Sequence, residues 1–237
     1  MSKLLKNIIN ARKRFSREED GTTLVEFAIC IGLFLLILFA VLDFARLGYN
    51  WVIAEKAMQR AVRIAAVRPP VCDGVPSVHL IDPSAPGSYR PGDLCSTGGG
   101  ICSSVTRQCR LDDWDTDDGS QAQLTSDEMW AALEPMMPEG TERGNILLTY
   151  AYDPRLGFVG GPYIPLITAE IVAFDSDPAD GRPVQNCGEN LCFRFMTPLS
   201  ALAANASGET NSIPGTIPFP SISVTLPAED MNHGMAG

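Results

Sequence analysis

The chain has 237 residues, of which 45% are hydrophobic and 19% are charged, a balance that excludes wholesale disorder. Its net charge of −10 is unevenly distributed, because residues 1–21 carry six basic and three acidic groups, a net +3, which leaves −13 on the rest of the chain. A domain this acidic repels phosphate backbones, which excludes nucleic acid as a partner.

The first predicted element is a single transmembrane helix. Leu24 to Leu42 is a run of 19 residues whose one charged side chain, Glu26, lies near its start. At about 1.5 Å per residue the run spans roughly 28 Å, close to the thickness of a hydrocarbon core. The alternative is a cleaved secretory signal, but such a signal is shorter and ends at a small-residue site, which is missing after Leu42. By the positive-inside rule the basic leader, residues 1–21, is cytoplasmic, so the chain is expected to cross the inner (cell) membrane once and to be mainly extracytoplasmic (periplasmic).

The same helix is expected to continue beyond the lipid bilayer as an amphipathic helix. Apolar residues recur there at helical spacing, and charged residues occupy the opposite face. The apolar set is Ala54, Ala57, Met58, Ala61, Ile64 and Ala65. Pro69-Pro70 ends the pattern, because proline lacks an amide donor and restricts the residue before it, so residues 22–68 form one segment with its helix ending near residue 67. Its alanine-rich face packs either on the protein's own sheet or on a partner helix.

Residues 69–123 form a loop region rich in cysteine, proline and glycine. Six cysteines follow the membrane segment, and an even number in an exported domain indicates up to three disulfides. They are Cys72, Cys95, Cys102, Cys109, Cys187 and Cys192. Zinc is the competing interpretation, but no C-x-x-C pair occurs and His79 and His233 are the two histidines, so neither a metal nor a cofactor is expected.

One of the predicted disulfides is local. Four residues separate Cys187 from Cys192 and suit a tight turn. The other four cysteines allow three pairings, and the sequence does not choose between them. Closeness in sequence favours Cys72–Cys95 together with Cys102–Cys109.

The end of the loop region is acidic. Residues 112–118 place acids at alternate positions, as a calcium loop does. Counted from Asp113, however, the glycine comes one place late and the twelfth position is Leu124 where such a loop has glutamate. A solvated acidic loop is therefore favoured over a calcium site.

Residues 124–237 are predicted to form a β-rich extracytoplasmic domain. A capping box of Thr125 and Glu128 is expected to open a short helix that Pro135 ends. Strand patterns follow at Ile146–Tyr152, at Leu166–Phe174, at the alternating Leu191, Phe193 and Phe195, and at the alternating Ile222, Val224 and Leu226. The predicted fold class is α+β, in which the amphipathic half-helix packs on a small antiparallel β-sheet beside a disulfide-stapled loop region.

The junction between the leader and the apolar run carries the most informative motif. It has a glycine at the boundary, Gly21, and a glutamate five residues later, Glu26, inside the apolar segment. Together with the alanine- and arginine-rich helix at Ala57–Ala66, this junction resembles the TadE-like family, which are pseudopilins of the tight-adherence (Tad) type IV pilus system. The ending Leu226–Met231 adds weaker support.

The resemblance implies cleavage between Gly21 and Thr22 by a membrane-embedded prepilin peptidase. Glycine has no side chain, so it leaves the backbone accessible to a protease. Glu26 then becomes the fifth residue of the mature chain, and the resemblance implies that it pairs with the N-terminal amine of a neighbouring subunit. The alternative is that Glu26 only snorkels to the membrane surface.

The function that the resemblance implies is that of a minor pilin-like (pseudopilin) subunit, which helps to assemble or prime a Tad-type pilus for adhesion. Its partners would be other pilin-like subunits and the pilus assembly platform. The alternative is a permanently membrane-anchored extracytoplasmic binding or sensor domain, which would not be cleaved at Gly21. No catalytic residue is expected, because neither histidine lies in a recognisable nucleophile motif.

Overall fold

A long N-terminal helix and a small antiparallel sheet are the main regular elements of the residues that the structure describes. The computed structural model describes residues 19–85, 87–113, 120–138, 140–172, 191–196, 216–229 and 231. The chain divides into two units, one of residues 1–47 with 195–215 and the other of residues 48–194 with 216–237. The α+β prediction is confirmed, whereas the predicted domain boundaries near residues 22, 69 and 124 stay predictions.

Helix α1 occupies Glu19–Val67. It contains one stretch that is long and apolar enough to cross a membrane, and none of that stretch is buried within the protein. The helix ends where the prolines predicted, with a last backbone hydrogen bond of 3.0 Å from Arg68 N to Ile64 O just before Pro69-Pro70.

The extramembrane half of α1 forms one side of the main core. Ala54, Ala57, Ala61 and Ala65 are completely buried. They belong to the same hydrophobic cluster as the inward-facing residues of the sheet: Ile146, Leu148, Tyr150, Ile167, Ala169 and Ile171. The alanine-rich face therefore packs on the protein's own sheet, because small side chains let the helix lie close to the strands.

Among the described residues, six strands form two sheets. They are β1 Arg107–Arg110, β2 Ile146–Ala151, β3 Leu166–Ile171, β4 Cys192–Arg194, β5 Thr216–Pro218 and β6 Ile222–Pro227. The four-stranded sheet has the order β1-β2-β3-β6 with every pair antiparallel, and β4 pairs with β5 in a two-stranded sheet. Burial alternates along β2 and β3, since successive side chains of a strand point to opposite faces of the sheet.

Helix α2 begins earlier than predicted. It occupies Gln121–Leu133, and the hydroxyl of Ser120 accepts a hydrogen bond of 3.1 Å from Gln123 N as its N-cap. The predicted capping box is wrong, because Thr125 is buried inside the helix and Glu128 pairs with Arg68 at 2.8 Å. Ser120 precedes the first turn, so its hydroxyl reaches a backbone N–H group there that has no partner within the helix, whereas Thr125 lies on the face that packs into the core.

Two disulfides staple the loop region, but not in the favoured pairing. Cys72 is bonded to Cys109, and Cys95 is bonded to Cys102. The expected Cys72–Cys95 and Cys102–Cys109 bonds are therefore wrong. The reason is long-range: the register of β1 on β2 places Cys109 opposite Leu148, whose carbonyl oxygen lies 3.8 Å from Cys72 Sγ.

Two further predictions fall outside the part of the chain that the structure describes. Cys187 lies outside it, so the Cys187–Cys192 disulfide stays a prediction. Within the acidic run only Asp112 and Asp113 are described, and both are exposed.

Candidate functional site

The residues predicted for processing and subunit pairing lie close together near the start of α1. Gly21, Thr22 and Glu26 all belong to the helix, and Thr22 and Glu26 are exposed. Four residues make slightly more than one helical turn, so these two side chains share a face and lie about 6 Å apart along the axis. Glycine lowers helix stability by about 1 kcal/mol relative to alanine, so the backbone at Gly21 opens more easily than it would with alanine at that position.

Glu26 is a carboxylate within an apolar, outward-facing surface. Its neighbours Leu24, Val25 and Phe27 are all exposed by more than half of their side-chain area. A charge on the surface of a membrane helix is costly unless it reaches the interface or pairs with an opposite charge. The exposed position leaves Glu26 accessible to another helix that lies alongside α1.

A second carboxylate, Asp43, follows the apolar run and is almost completely buried, with 1% of its surface exposed. Its Oδ1 accepts a hydrogen bond of 3.0 Å from the backbone amide of Met196 and lies 3.5 Å from Arg46 Nη1. The Phe195–Met196 segment is thus fastened to α1 within the first unit. Sequence reasoning missed this contact. The available signal was an acid directly after an apolar run, with an arginine three residues later on the same helical face.

Comparison with known proteins finds a family match, and it lies in the same N-terminal region. Residues 21–63 match the family model described as TadE-like protein. This part of the chain is similar to the TadE-like family. The TadE-like segment begins at Gly21, includes Glu26 and reaches Arg63 in the amphipathic half of α1. The weaker C-terminal resemblance at Leu226–Met231 lies outside the matched residues.

The similarity of this segment to the TadE-like family indicates a protein associated with Tad-type pili. Proteins of that family are structural, and they interact with other pilus components. Together with the one helix of the described residues that is long and apolar enough to cross a membrane, this similarity indicates a single-pass membrane protein. Neither a curated protein nor a solved structure matches the chain significantly.

Proposed function

We propose that this protein is a non-enzymatic, minor pilin-like subunit that helps to assemble or prime a Tad-type pilus for adhesion. The observation that carries the proposal is the start of the TadE-like segment: it begins at Gly21 and continues as an exposed apolar helix whose one charge before Leu42 is Glu26. A permanently anchored binding or sensor domain needs the apolar span, but it needs neither the boundary glycine nor the carboxylate.

In this proposal the chain is inserted with its leader in the cytoplasm and its acidic domain outside the inner membrane. The six basic groups of residues 1–21 favour that orientation. Prepilin peptidase then cuts between Gly21 and Thr22, which removes those basic groups and creates an α-amino group on Thr22. An α-amino group has a pKa near 8 and is mostly protonated at neutral pH, so it is a suitable partner for a carboxylate.

Glu26 supplies that carboxylate to a neighbouring subunit. Breaking one half of a fully buried ion pair costs about 3–5 kcal/mol, and less near a membrane surface. Even 1.4 kcal/mol changes an association constant tenfold. A contact of this size is sufficient to decide whether an assembly intermediate forms.

The burial of α1 supports one assignment of its contacts with other subunits. The alanine-rich face of the extramembrane half is covered by the protein's own sheet, whereas the membrane half is exposed. We therefore assign the helix-to-helix contacts to residues 22–42, and we assign the choice of partner to the acidic domain and to the assembly platform.

The decisive test is the mass of the mature N-terminus. Protein purified from native membranes should begin at Thr22, and Gly21→Val should leave it unprocessed, because a β-branched side chain obstructs the backbone. Gly32→Val is the matched control: it makes the same change in the same helix, where an added Cβ meets nothing within 4 Å. A native chain that begins at Met1 would favour the anchored binding or sensor domain.

A second experiment tests the role of Glu26. Glu26→Leu should be processed and inserted normally but should recover at least tenfold less pilin-like partner in a pull-down, and it should not support piliation. Glu26→Asp should be intermediate, because it keeps the charge and shortens the reach. Glu134→Leu is the control, since it removes an exposed carboxylate outside the membrane segment. Normal partner recovery with Glu26→Leu would show that Glu26 only snorkels.

A further inference from the structure

A short segment from late in the chain returns to α1 at the place where the apolar run ends. The backbone amide of Met196 donates a hydrogen bond of 3.0 Å to Oδ1 of Asp43, and both residues belong to the first unit. Asp43 comes directly after Leu42, the last residue of the apolar run. The returning segment, Phe195–Met196, therefore meets the helix at a level that the helix itself fixes.

The position of Asp43 along α1 decides its depth relative to a lipid bilayer. One residue of an α-helix advances about 1.5 Å, so Asp43 lies only about 1.5 Å beyond Leu42. The apolar run spans roughly 28 Å and a hydrocarbon core is about 30 Å thick, so each end of the run lies close to one boundary of the core. The headgroup layer adds about 5–7 Å on each side. Asp43 and the amide that it binds thus lie at the boundary between acyl chains and headgroups.

The carboxylate of Asp43 is shielded by the contacts that it makes. It is 1% exposed, and its Oδ1 lies 3.5 Å from Nη1 of Arg46 as well as 3.0 Å from the Met196 amide. A carboxylate at this depth is costly unless it has partners, and a cation together with a backbone N–H group supplies them. The same contacts explain how an acid is tolerated directly after an apolar run, and they hold Met196 at the level of Asp43.

The side chains at this level are apolar and face outward. Met196 is 64% exposed and Phe44, the residue after Asp43, is 68% exposed, whereas Phe195 is partly buried. Transfer of a side chain of this size from water to an apolar environment is favourable by at least about tenfold. Phe44 extends the exposed apolar surface of the run by two residues, and Met196 adds a further apolar side chain at nearly the same depth.

Arg46 adds a positive charge farther from the bilayer centre. It follows Asp43 by three residues, which is about 4.5 Å along the helix, and its side chain is 47% exposed. A guanidinium has five N–H donors, and a basic side chain with an apolar stem is typical of a membrane surface. Apolar side chains at one level and a cation outside them match the order of a phospholipid leaflet, in which the phosphates lie outside the acyl chains.

We propose that Phe195–Met196 is a second membrane contact of this protein, which Asp43 holds at the phospholipid surface with the Met196 side chain among the upper acyl chains. The contact is continuous with the exposed apolar half of α1, which lipid already surrounds. Two exposed side chains offer far less than the about 800 Å² that each partner of a stable protein interface buries, so lipid is favoured over a second chain. The inference rests on the membrane crossing of α1 and goes beyond the proposed role in pilus assembly.

The test places a photoreactive side chain at position 196 of the full chain in phosphatidylcholine vesicles. After irradiation of Met196→p-benzoylphenylalanine, mass spectrometry identifies the adducts. We expect lipid adducts at a yield within a few-fold of Phe39→p-benzoylphenylalanine, since Phe39 is an exposed residue of the apolar run. The matched control is Leu124→p-benzoylphenylalanine, because Leu124 is 54% exposed in α2, the helix whose Glu128 pairs with Arg68 beyond the distal end of α1. It should give at least about tenfold fewer lipid adducts.

The identity of the adducts separates lipid from the competing occupant. Crosslinks between two chains at position 196, in place of lipid adducts, would assign this surface to a second copy and overturn the proposal. A lipid yield at position 196 no higher than at position 124 would also overturn it, because the segment would then face water. Neither readout involves cleavage at Gly21 or piliation, so a negative result here leaves the proposed function standing.

Substitution of Asp43 tests what holds the segment at the membrane. Asp43→Leu removes the acceptor, so hydrogen exchange at the Met196 amide should become at least about tenfold faster than in the wild type. Asp43→Asn keeps an acceptor oxygen, and its exchange rate should lie between the two. Glu134→Leu is the control, since it removes an exposed carboxylate outside the first unit and should leave this exchange unchanged. Equal exchange in Asp43→Leu and the wild type would show that Asp43 does not hold the segment and would overturn the proposal.

Discussion

Replacing Ala61 by arginine tests whether the sheet really covers the helix face that a pilin-like partner could otherwise use. Ala61 is completely buried in the main core. Extra atoms in a close-packed core cost about 1–3 kcal/mol. An uncompensated buried charge costs about 3 kcal/mol or more in addition. Ala61→Arg should therefore lower the free energy of unfolding by about 4–6 kcal/mol, which is a large part of the 5–15 kcal/mol typical of a domain.

The assay is thermal unfolding of the full chain in detergent, followed by tryptophan fluorescence. Trp130 is half-buried and packs against the main core, so its emission reports on that core. For a domain of this size each kcal/mol shifts the melting temperature by about 2–4 °C, so Ala61→Arg should melt on the order of 10–20 °C below the wild type. Val52→Arg is the matched control, because it puts the same side chain at a position of α1 that is 55% exposed. If the two variants melt at the same temperature, the alanine-rich face is open in the monomer and available to other subunits.

Three other predictions address the extramembrane domain. Burial raises the pKa of Tyr150 to about 12, so the stability that its neutral form gives is complete below pH 10 and is lost as the pH rises through 12, by up to about 2–3 kcal/mol. Tyr150→Phe should therefore show a smaller fall in the free energy of unfolding over that pH range. An equal fall in the variant and the wild type would exclude ionisation of Tyr150 as the cause. Ser120→Ala should cost about 1 kcal/mol in chemical denaturation by removing the N-cap of α2, whereas Ser96→Ala should be neutral, because Ser96 precedes a 3-10 turn without a side-chain cap bond. Non-reducing peptide mapping should yield a Cys187–Cys192 peptide beside the Cys72–Cys109 and Cys95–Cys102 peptides, and a free thiol at Cys187 would contradict it.

Features that depend on nearby residues were predictable from the sequence. The end of α1 was set by Pro69-Pro70, and the half-buried strand β6 follows from alternation, with Ile222 buried while Ser223 is exposed. The Gly21–Glu26 motif was recognisable for the same reason, since all its parts lie within six residues. Hydrophobic period and proline chemistry act over one or two turns, so a window of sequence contains the whole signal.

Features that depend on distant contacts were not predictable. The partner of Cys72 is decided by the register of β1 on β2, a contact that closeness in sequence does not encode. Both Ser120 and Thr125 have hydroxyls able to cap a helix, and burial of Thr125 decided between them. His79 is an isolated histidine in the sequence, and the fold alone brings it beside the Cys95–Cys102 disulfide.

The bare apolar half of α1 would restrict how the proposed pilin-like subunit leaves the bilayer. Roughly a dozen large apolar side chains between Leu24 and Leu42 face outward, and exposing each to water costs about 1.5–3 kcal/mol, on the order of 20 kcal/mol in all. A water-exposed intermediate would then be populated at a fraction of about 10⁻¹⁴. Under the proposed function, departure from the membrane is therefore a direct exchange, in which neighbouring helices replace lipid one contact at a time.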